Sequence, residues 1–293
     1  MENRMGRGGA ARRFLVVAAA AFLVTAAFVG CAEIQALRGQ QTPAEVQAGS
    51  QYLARGEREK ARQQFEAALQ RHRGDVQAGF AVLEACHSAG EYQMEAEFAL
   101  RCADDTPESD VATRSQFIRA AGVACAYLQD FDRALSLLKQ AHKMNPKNAV
   151  IMNDLGYVLA DAGRELDLAL SLTTEAVRMA HESGRASNEA MAAFLDSLGW
   201  VHYRRGNLAA AIEHLARAAE MSPGMWEIHY HLAVAYHKKG MDEEARVELL
   251  RARTAAPEKA AISQALQLVN QSLAARKKRT PPSSEPTLRF GAP

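Results

Sequence analysis

Residues 199–223 read GWVHYRRGNLAAAIEHLARAAEMSP, and residues 233–257 read AVAYHKKGMDEEARVELLRARTAAP. The two stretches begin 34 residues apart and agree at five offsets from their first residue: Gly at 7, Ala at 12, Leu at 16, Ala at 19 and Pro at 24. Self-similarity at a period of roughly 20–50 residues is typical of proteins built from stacked repeats. The two stretches therefore predict a repeat architecture and supply a frame for the rest of the chain.

Four more segments fit this frame. Gly122 is followed by Ala134, Leu138, Ala141 and Pro146 at the same offsets. The other segments begin at residues 49, 83 and 156, so the origins of the six units lie at 49, 83, 122, 156, 199 and 233. Their separations of 34, 39, 34, 43 and 34 residues indicate two insertions, which we expect to form loops around residues 104–110 and 181–189.

Each unit is predicted to be a helix, a tight turn and a second helix. Glycine in the turn permits the backbone conformation that ends a helix, and proline after the second helix stops it. Small residues such as Ala211 and Ala218 let the two helices approach closely, and Leu215 fills the space between units. Because no unit can bury its apolar face alone, the units must stack. The fold class is therefore all-α.

This pattern resembles the tetratricopeptide repeat family over residues 42–259, in six repeats. The repeat boundaries are 42–75, 76–110, 115–148, 149–183, 192–225 and 226–259. The resemblance implies a right-handed superhelical solenoid with a helix covering its last repeat. Residues 260–276 are predicted to be that capping helix, because Ile262, Leu266, Val269 and Leu273 form one apolar stripe. The rest of the chain, 277–293, has a proline- and serine-rich composition that predicts disorder.

The first 30 residues have the pattern of a secretion signal. Four arginines precede an uncharged apolar run at residues 14–30, which is shorter than the ~20 residues of a spanning helix. Phe28-Val29-Gly30 before Cys31 resembles a bacterial lipobox, which implies a lipoprotein signal peptide at 1–30, a lipidated Cys31 and a tether at 31–41. Ala32 after the cysteine resembles outer-membrane lipoproteins. An uncleaved signal anchor is the alternative.

Composition excludes several other classes of protein. With 48% hydrophobic and 24% charged residues, the 293-residue chain is globular, and its net charge of +1 gives no reason to expect nucleic acid binding. We find no phosphate-binding loop, hydrolase triad or metal-ligand spacing, so we predict no enzyme, no cofactor and no metal. Cys86 and Cys125 occupy equivalent places in adjacent units, where they either pack as small residues or form a disulfide.

The resemblance implies that the first helices line a concave groove that binds a peptide or helix. Helical spacing selects the positions three before, one after, and four or five after each origin as those that face solvent. Because Trp, Tyr and Arg are enriched at binding hot spots, we expect the binding residues in the last four units. The candidate groove residues are Arg119, Tyr127, Asn153, Tyr157, Asp196, Trp200, Tyr203, Arg204, Tyr230, His237 and Lys238. Alternatively, Trp200 and Tyr203 pack between neighbouring first helices.

The first two units are less suggestive of binding. They place Val46, Ser50, Phe80, Glu84 and His87 at the same positions. These side chains contain fewer of the residue types found at hot spots.

These observations predict a lipid-anchored scaffold that faces the periplasm and holds a protein partner of the bacterial envelope in its groove. The resemblance suggests a role in pilus or secretin assembly, in polysaccharide export, or as an adaptor for peptidoglycan enzymes. Two alternatives remain open. One is a peptidoglycan- or polysaccharide-binding lipoprotein, in which Trp200 would stack on sugars. The other is a regulatory subunit of an envelope enzyme complex. Self-association is left open.

Overall fold

A computed structural model describes residues 42–279, and this part of the chain consists of thirteen α-helices without a strand. The signal peptide, Cys31, the tether through Gln41 and residues 280–293 lie outside the described residues. The helices are α1 (Ala44–Ala54), α2 (Arg58–Arg71), α3 (Val76–Ser88), α4 (Tyr92–Asp105), α5 (Val111–Tyr127), α6 (Phe131–Met144), α7 (Ala149–Ala162), α8 (Leu166–Ser183), α9 (Asn188–Arg204), α10 (Leu208–Met221), α11 (Trp226–Lys239), α12 (Asp242–Ala255) and α13 (Ala260–Arg279).

The helices stack as a solenoid. Each helix contacts the next one in the chain, and each odd-numbered helix also contacts the next odd-numbered helix. The odd-numbered helices α1 to α11 are the first helices of the six predicted units, so they form one continuous layer. The prediction of an all-α repeat solenoid is confirmed.

The last helix covers the end of the array. Helix α13 packs on α12, and Ile262, Leu266 and Val269 of its predicted apolar stripe are buried. The helix continues to Arg279, three residues past the predicted end at residue 276. The Arg276 Nη1 donates to the carbonyl oxygen of Gly240 at 2.7 Å, which ties the helix to the end of α11.

The two insertions lengthen helices more than loops. Helices α5, α8 and α9 have 17, 18 and 17 residues, against 14 for most of the others. Gly184 ends α8 with a φ of +60°, which glycine adopts without a steric penalty. The Asp110 side chain accepts from the amide of Thr113, and the Ser187 hydroxyl accepts from the amide of Ala190, so each begins the next helix after a short connection. Residues 106–110 do form the expected connection, whereas at 181–189 only residues 184–187 lie outside a helix.

Glycine at the repeat origins lets the paired helices touch. A Cβ added at Gly156 would lie 2.7 Å from the Cγ2 of Thr173 and 3.0 Å from the carbonyl oxygen of Ala169. The backbone of α7 therefore contacts α8 at a distance that a larger residue would prevent. Gly199 repeats this arrangement, with an added Cβ 2.7 Å from the Cγ of Leu215.

We expect Gly156→Leu to lower the free energy of unfolding by roughly 1–3 kcal/mol, because the added side chain overpacks the contact between α7 and α8. Gly224→Leu is the matched control, since a Cβ there meets nothing within 4 Å. The measurement is urea unfolding followed by circular dichroism. Equal stability of the two variants would contradict the close approach at Gly156.

No helix within residues 42–279 combines the length and the apolar character needed to cross a membrane.

Candidate functional site

The inner layer of first helices is open in the first two units and filled in the next three. The position one after each origin shows the change, because Ser50 and Glu84 are exposed there whereas Val123, Tyr157 and Trp200 are buried. Side chains in units three to five therefore fill the surface that the first two units leave accessible.

The open part is a groove of about 510 Å³ between α1 and α3. Most of its lining side chains are alanine or hydroxyl residues, so the helix backbones lie near its surface. The lining residues are Thr42, Val46, Ser50, Leu53, Ala54, Ala81, Glu84, Ala85, Ser88 and Ala89. Glu84 is the one charged residue among them. We call this surface the α1–α3 groove.

Aromatic rings fill the inner face of the later units. The Trp200 ring stacks on Tyr203 with centroids 4.9 Å apart and on His231 at 4.5 Å. The Arg204 guanidinium lies 5.9 Å from the centroid of the Trp200 ring. Trp200 is fully buried as a result. Trp200 therefore packs between neighbouring first helices, which was the alternative to a role in the groove.

Buried polar pairs connect successive first helices. The Arg119 Nη1 donates to the Asp154 Oδ2 at 2.7 Å, and the His231 Nδ1 lies 2.9 Å from both carboxylate oxygens of Asp196. In both pairs a residue three before one origin contacts a residue two before the next origin, 35 residues later. All four side chains are at most 3% exposed. The repeat period therefore brings complementary polar groups together inside the protein.

Burial shifts the ionisation of carboxylates in this region. It raises the pKa of Glu227 to about 7, although the Glu227 backbone amide, His231 and Lys259 act in the opposite direction. It also raises the pKa of Asp161 to about 6, against the opposing effect of Arg204, whose Nη1 lies 3.1 Å from the carboxylate. Desolvation thus outweighs the favourable charges in both cases.

Several predicted groove residues do not face solvent, and that part of the prediction is wrong. Those in the interior are Arg119, Asn153, Tyr157, Asp196, Trp200 and Tyr230. Those at intermediate exposure are Tyr127, Tyr203 and Arg204. Those that are exposed are His237 and Lys238, at the end of α11.

The physical reason lies in the packing of neighbouring first helices. The position three before the origin is buried in all six units, so it faces an adjacent helix rather than the groove. At the other positions, the large side chains themselves cover the surface. The structure brings Trp200, Tyr203 and Arg204 together, and it joins Arg119 and Asp196 to partners in the next unit.

Ser50 and Glu84 are exposed on the inner layer, although their residue types made them weaker candidates than the aromatic residues. The same offset that selected Trp200 also selects these two residues, so the signal for them was the repeat frame. The preference for aromatic residue types gave them too little weight, because aromatic residues are enriched in cores as well as at interfaces.

The cysteines and candidate metal ligands offer no paired chemistry in the described part of the chain. Cys86, Cys102 and Cys125 are buried free thiols, so the Cys86–Cys125 disulfide is absent. Burial raises the pKa of the Cys102 thiol to about 12 and that of the other two in the same direction, which disfavours the reactive thiolate. Across residues 42–279, no three His, Cys, Asp or Glu side chains converge as metal ligands would.

Comparison with known proteins identifies the repeats. Two family models described as tetratricopeptide repeat match residues 46–110, 120–182 and 202–269. The TPR repeat-containing protein PA4667 of Pseudomonas aeruginosa is 37% identical over 78 residues, which are 27% of this chain and 12% of that protein. The chain therefore spans only a small part of that relative's length.

One solved structure shares the fold over most of this chain, and a second is similar at a lower TM-score. A chain of the APC/C hetero-tetramer Cut9-Hcn1 superposes with a TM-score of 0.59 at 17% identity, over 77% of this chain and 42% of that chain. YrrB, a TPR protein with an unusual peptide-binding site, gives a TM-score of 0.42 at 20% identity, over 73% of this chain and 97% of that one.

Proposed function

Because the chain belongs to the tetratricopeptide repeat family, we propose that it is a membrane-anchored scaffold that holds a segment of an envelope protein in the α1–α3 groove. Its repeats make it a protein-interaction scaffold. The anchor, the envelope partner and the place of binding are the parts that we add.

The observation that carries this proposal is the accessible surface of the first two units. The α1–α3 groove has about 510 Å³ and is lined mostly by small side chains, so a partner backbone could pack close to both helices. On the inner face of units three to five, large side chains such as Tyr157 and Trp200 are buried at the positions that Ser50 and Glu84 leave open. A segment bound by first helices would therefore bind at the N-terminal end.

The predicted anchor lies close to this groove along the chain. Thr42 lines the groove, and Cys31 precedes it by 11 residues. An extended chain of that length spans at most about 40 Å. If Cys31 is lipidated, the groove stays near the membrane surface and meets membrane-associated partners. Pilus or secretin assembly and polysaccharide export are roles in which such a partner would occur.

The glycan-binding alternative has less support. It depended on Trp200 as an aromatic platform for a sugar ring. Trp200 is 0% exposed and is stacked on both Tyr203 and His231, so its faces are already occupied.

In-cell crosslinking followed by purification and mass spectrometry tests the proposal. Ala85→Trp should fill the groove and reduce capture of a specific partner at least about tenfold, as the loss of a hot spot would. Ala209→Trp is the matched control, because Ala209 is an exposed alanine on α10, outside the groove. Cys31→Ser should move the protein out of the membrane fraction.

Circular dichroism spectra of both tryptophan variants show whether they remain folded. Equal capture by wild type, Ala85→Trp and Ala209→Trp would contradict binding in the groove. Membrane retention of Cys31→Ser would contradict the lipid anchor and favour the uncleaved signal anchor.

A further inference from the structure

We infer that the α1–α3 groove selects a partner segment that carries a lysine or arginine opposite Glu84. This inference rests on the proposed function, because it concerns the chemistry of the segment that the groove holds. Three observations support the inference: the charges around the groove, the helix ends that border the groove, and the small size of the residues that line it.

Glu84 is an uncompensated charge. It is exposed on α3, and it makes no ion pair with any residue of the described chain, 42–279. The neighbouring carboxylates are already paired. Glu45 pairs with Arg71, Glu91 with Arg58, and Glu95 with His87; these pairs involve carboxylates outside the groove lining. Glu84 is thus available to a cation from another molecule.

The helix ends at one side of the groove have the same sign. Ala54 is the last residue of α1 and Ser88 is the last residue of α3, and both line the groove. The C-terminal end of a helix carries a partial charge of roughly −0.5. Arg55 directly follows α1 but is not among the lining residues. Two helix ends and Glu84 therefore favour a positive group over a negative one.

The small lining residues fit a long cationic side chain. Ala81 and Ala85 lie one turn apart on α3, on either side of Glu84 in sequence, and both line the groove. Lysine and arginine can lay an aliphatic stem along such an apolar surface while the charged end reaches a carboxylate. An acidic segment would meet like charge, and a purely apolar one would leave the Glu84 carboxylate partly desolvated without a partner.

Selection from a phage library of random 12-residue peptides tests this inference. The full-length protein should enrich peptides with a Lys or Arg at one recurrent position. Glu84→Gln should lose that preference, and Glu84→Lys should enrich Asp or Glu there instead. A synthetic peptide from the wild-type selection should bind Glu84→Gln roughly fivefold more weakly, as expected for one partly exposed ion pair. Glu59→Gln, at an exposed glutamate on α2, should bind it like wild type.

The outcomes separate the two proposals. If Ala85→Trp abolishes binding but the selected peptides show no charge preference, the groove binds peptides and the inference about a cation is wrong. If no peptide is enriched, or if Ala85→Trp leaves binding unchanged, peptide binding in the groove is itself contradicted.

Discussion

Replacing Arg119 by methionine is expected to lower the free energy of unfolding by about 3–5 kcal/mol, the usual effect of removing one partner of a buried ion pair. Arg119 is 3% exposed and Asp154 is 0% exposed, and their contact distance is 2.7 Å. Without the guanidinium, Asp154 keeps one weak side-chain partner, the amide of Asn153 at 3.3 Å. Burial already raises the pKa of Asp154, and loss of Arg119 would raise it further.

Two control variants identify the cause. Arg119→Met combined with Asp154→Leu should recover most of the loss, because it removes the unpaired charge as well. Arg62→Met breaks a partly exposed pair with Glu97 at 2.9 Å and should cost at most about 1 kcal/mol. Urea unfolding at neutral pH measures the free energy of unfolding of Arg119→Met, of the double variant and of Arg62→Met. If Arg119→Met lowered the free energy of unfolding no more than Arg62→Met does, the buried Asp154 carboxylate would not need the Arg119 guanidinium for stability.

The helix layout could be predicted from the sequence because it depends on contacts within one repeat. Gly156 meets Ala169 and Thr173 of its own unit, and Gly199 meets Leu215 of its own unit. Residues this close in the chain recur at fixed offsets, so similarity between units reveals them. The end of α13 and the lengths of the inserted helices do not recur, so similarity between units does not predict them.

The open surface could not be predicted in this way, because it depends on contacts between units. Trp200 is buried through His231 of the next unit, and the half-buried Tyr127 of the third unit lies close enough to Glu227 of the sixth for that carboxylate to affect its pKa. Whether a first-helix residue faces solvent thus depends on the sizes of side chains several units away. A single repeat frame contains no such information.

The buried polar pairs between units could have been predicted from the sequence. Arg119 and Asp154 have opposite charges 35 residues apart, and Asp196 and His231 repeat that spacing. Because Arg119 and Asp196 were interpreted as binding residues, their complementarity to residues of the next unit was not considered. Comparing neighbouring units at positions three and two before the origin would have revealed a contact between the units rather than a surface for a partner.

Glu227 is expected to make the protein less stable as pH rises through the range from 4.5 to about 7. Its pKa is about 7 in the folded protein, against an ordinary value of 4.5, so the folded state binds more protons than the unfolded state between these two values. A group of this kind stabilises the fold most when it is protonated. The pKa difference corresponds to roughly 3 kcal/mol as an upper estimate, all of it lost above pH 7.

Glu227→Gln should remove this dependence. The variant should match wild type near pH 4.5 and exceed its free energy of unfolding by up to roughly 3 kcal/mol at pH 8, since the neutral amide imposes no cost for burying a charge. Asp161, with a pKa of about 6, also makes the protein less stable as pH rises. This effect is the same in wild type and Glu227→Gln, so it cancels in the difference between their free energies of unfolding. Glu220→Gln is the control, because Glu220 is exposed on α10.

Urea unfolding of the three proteins at pH 4.5, 6 and 8 provides the measurement. The surroundings of Glu227 act in opposite directions. His231 and Lys259 favour the ionised form of Glu227, whereas burial and Asp196 disfavour it. A difference between Glu227→Gln and wild type that grows from pH 4.5 to 8 means that burial and Asp196 dominate. A difference that is constant, or one that favours wild type at pH 8, would mean that His231 and Lys259 hold Glu227 as a carboxylate, and that the inner face of the last unit is stabilised by its charge.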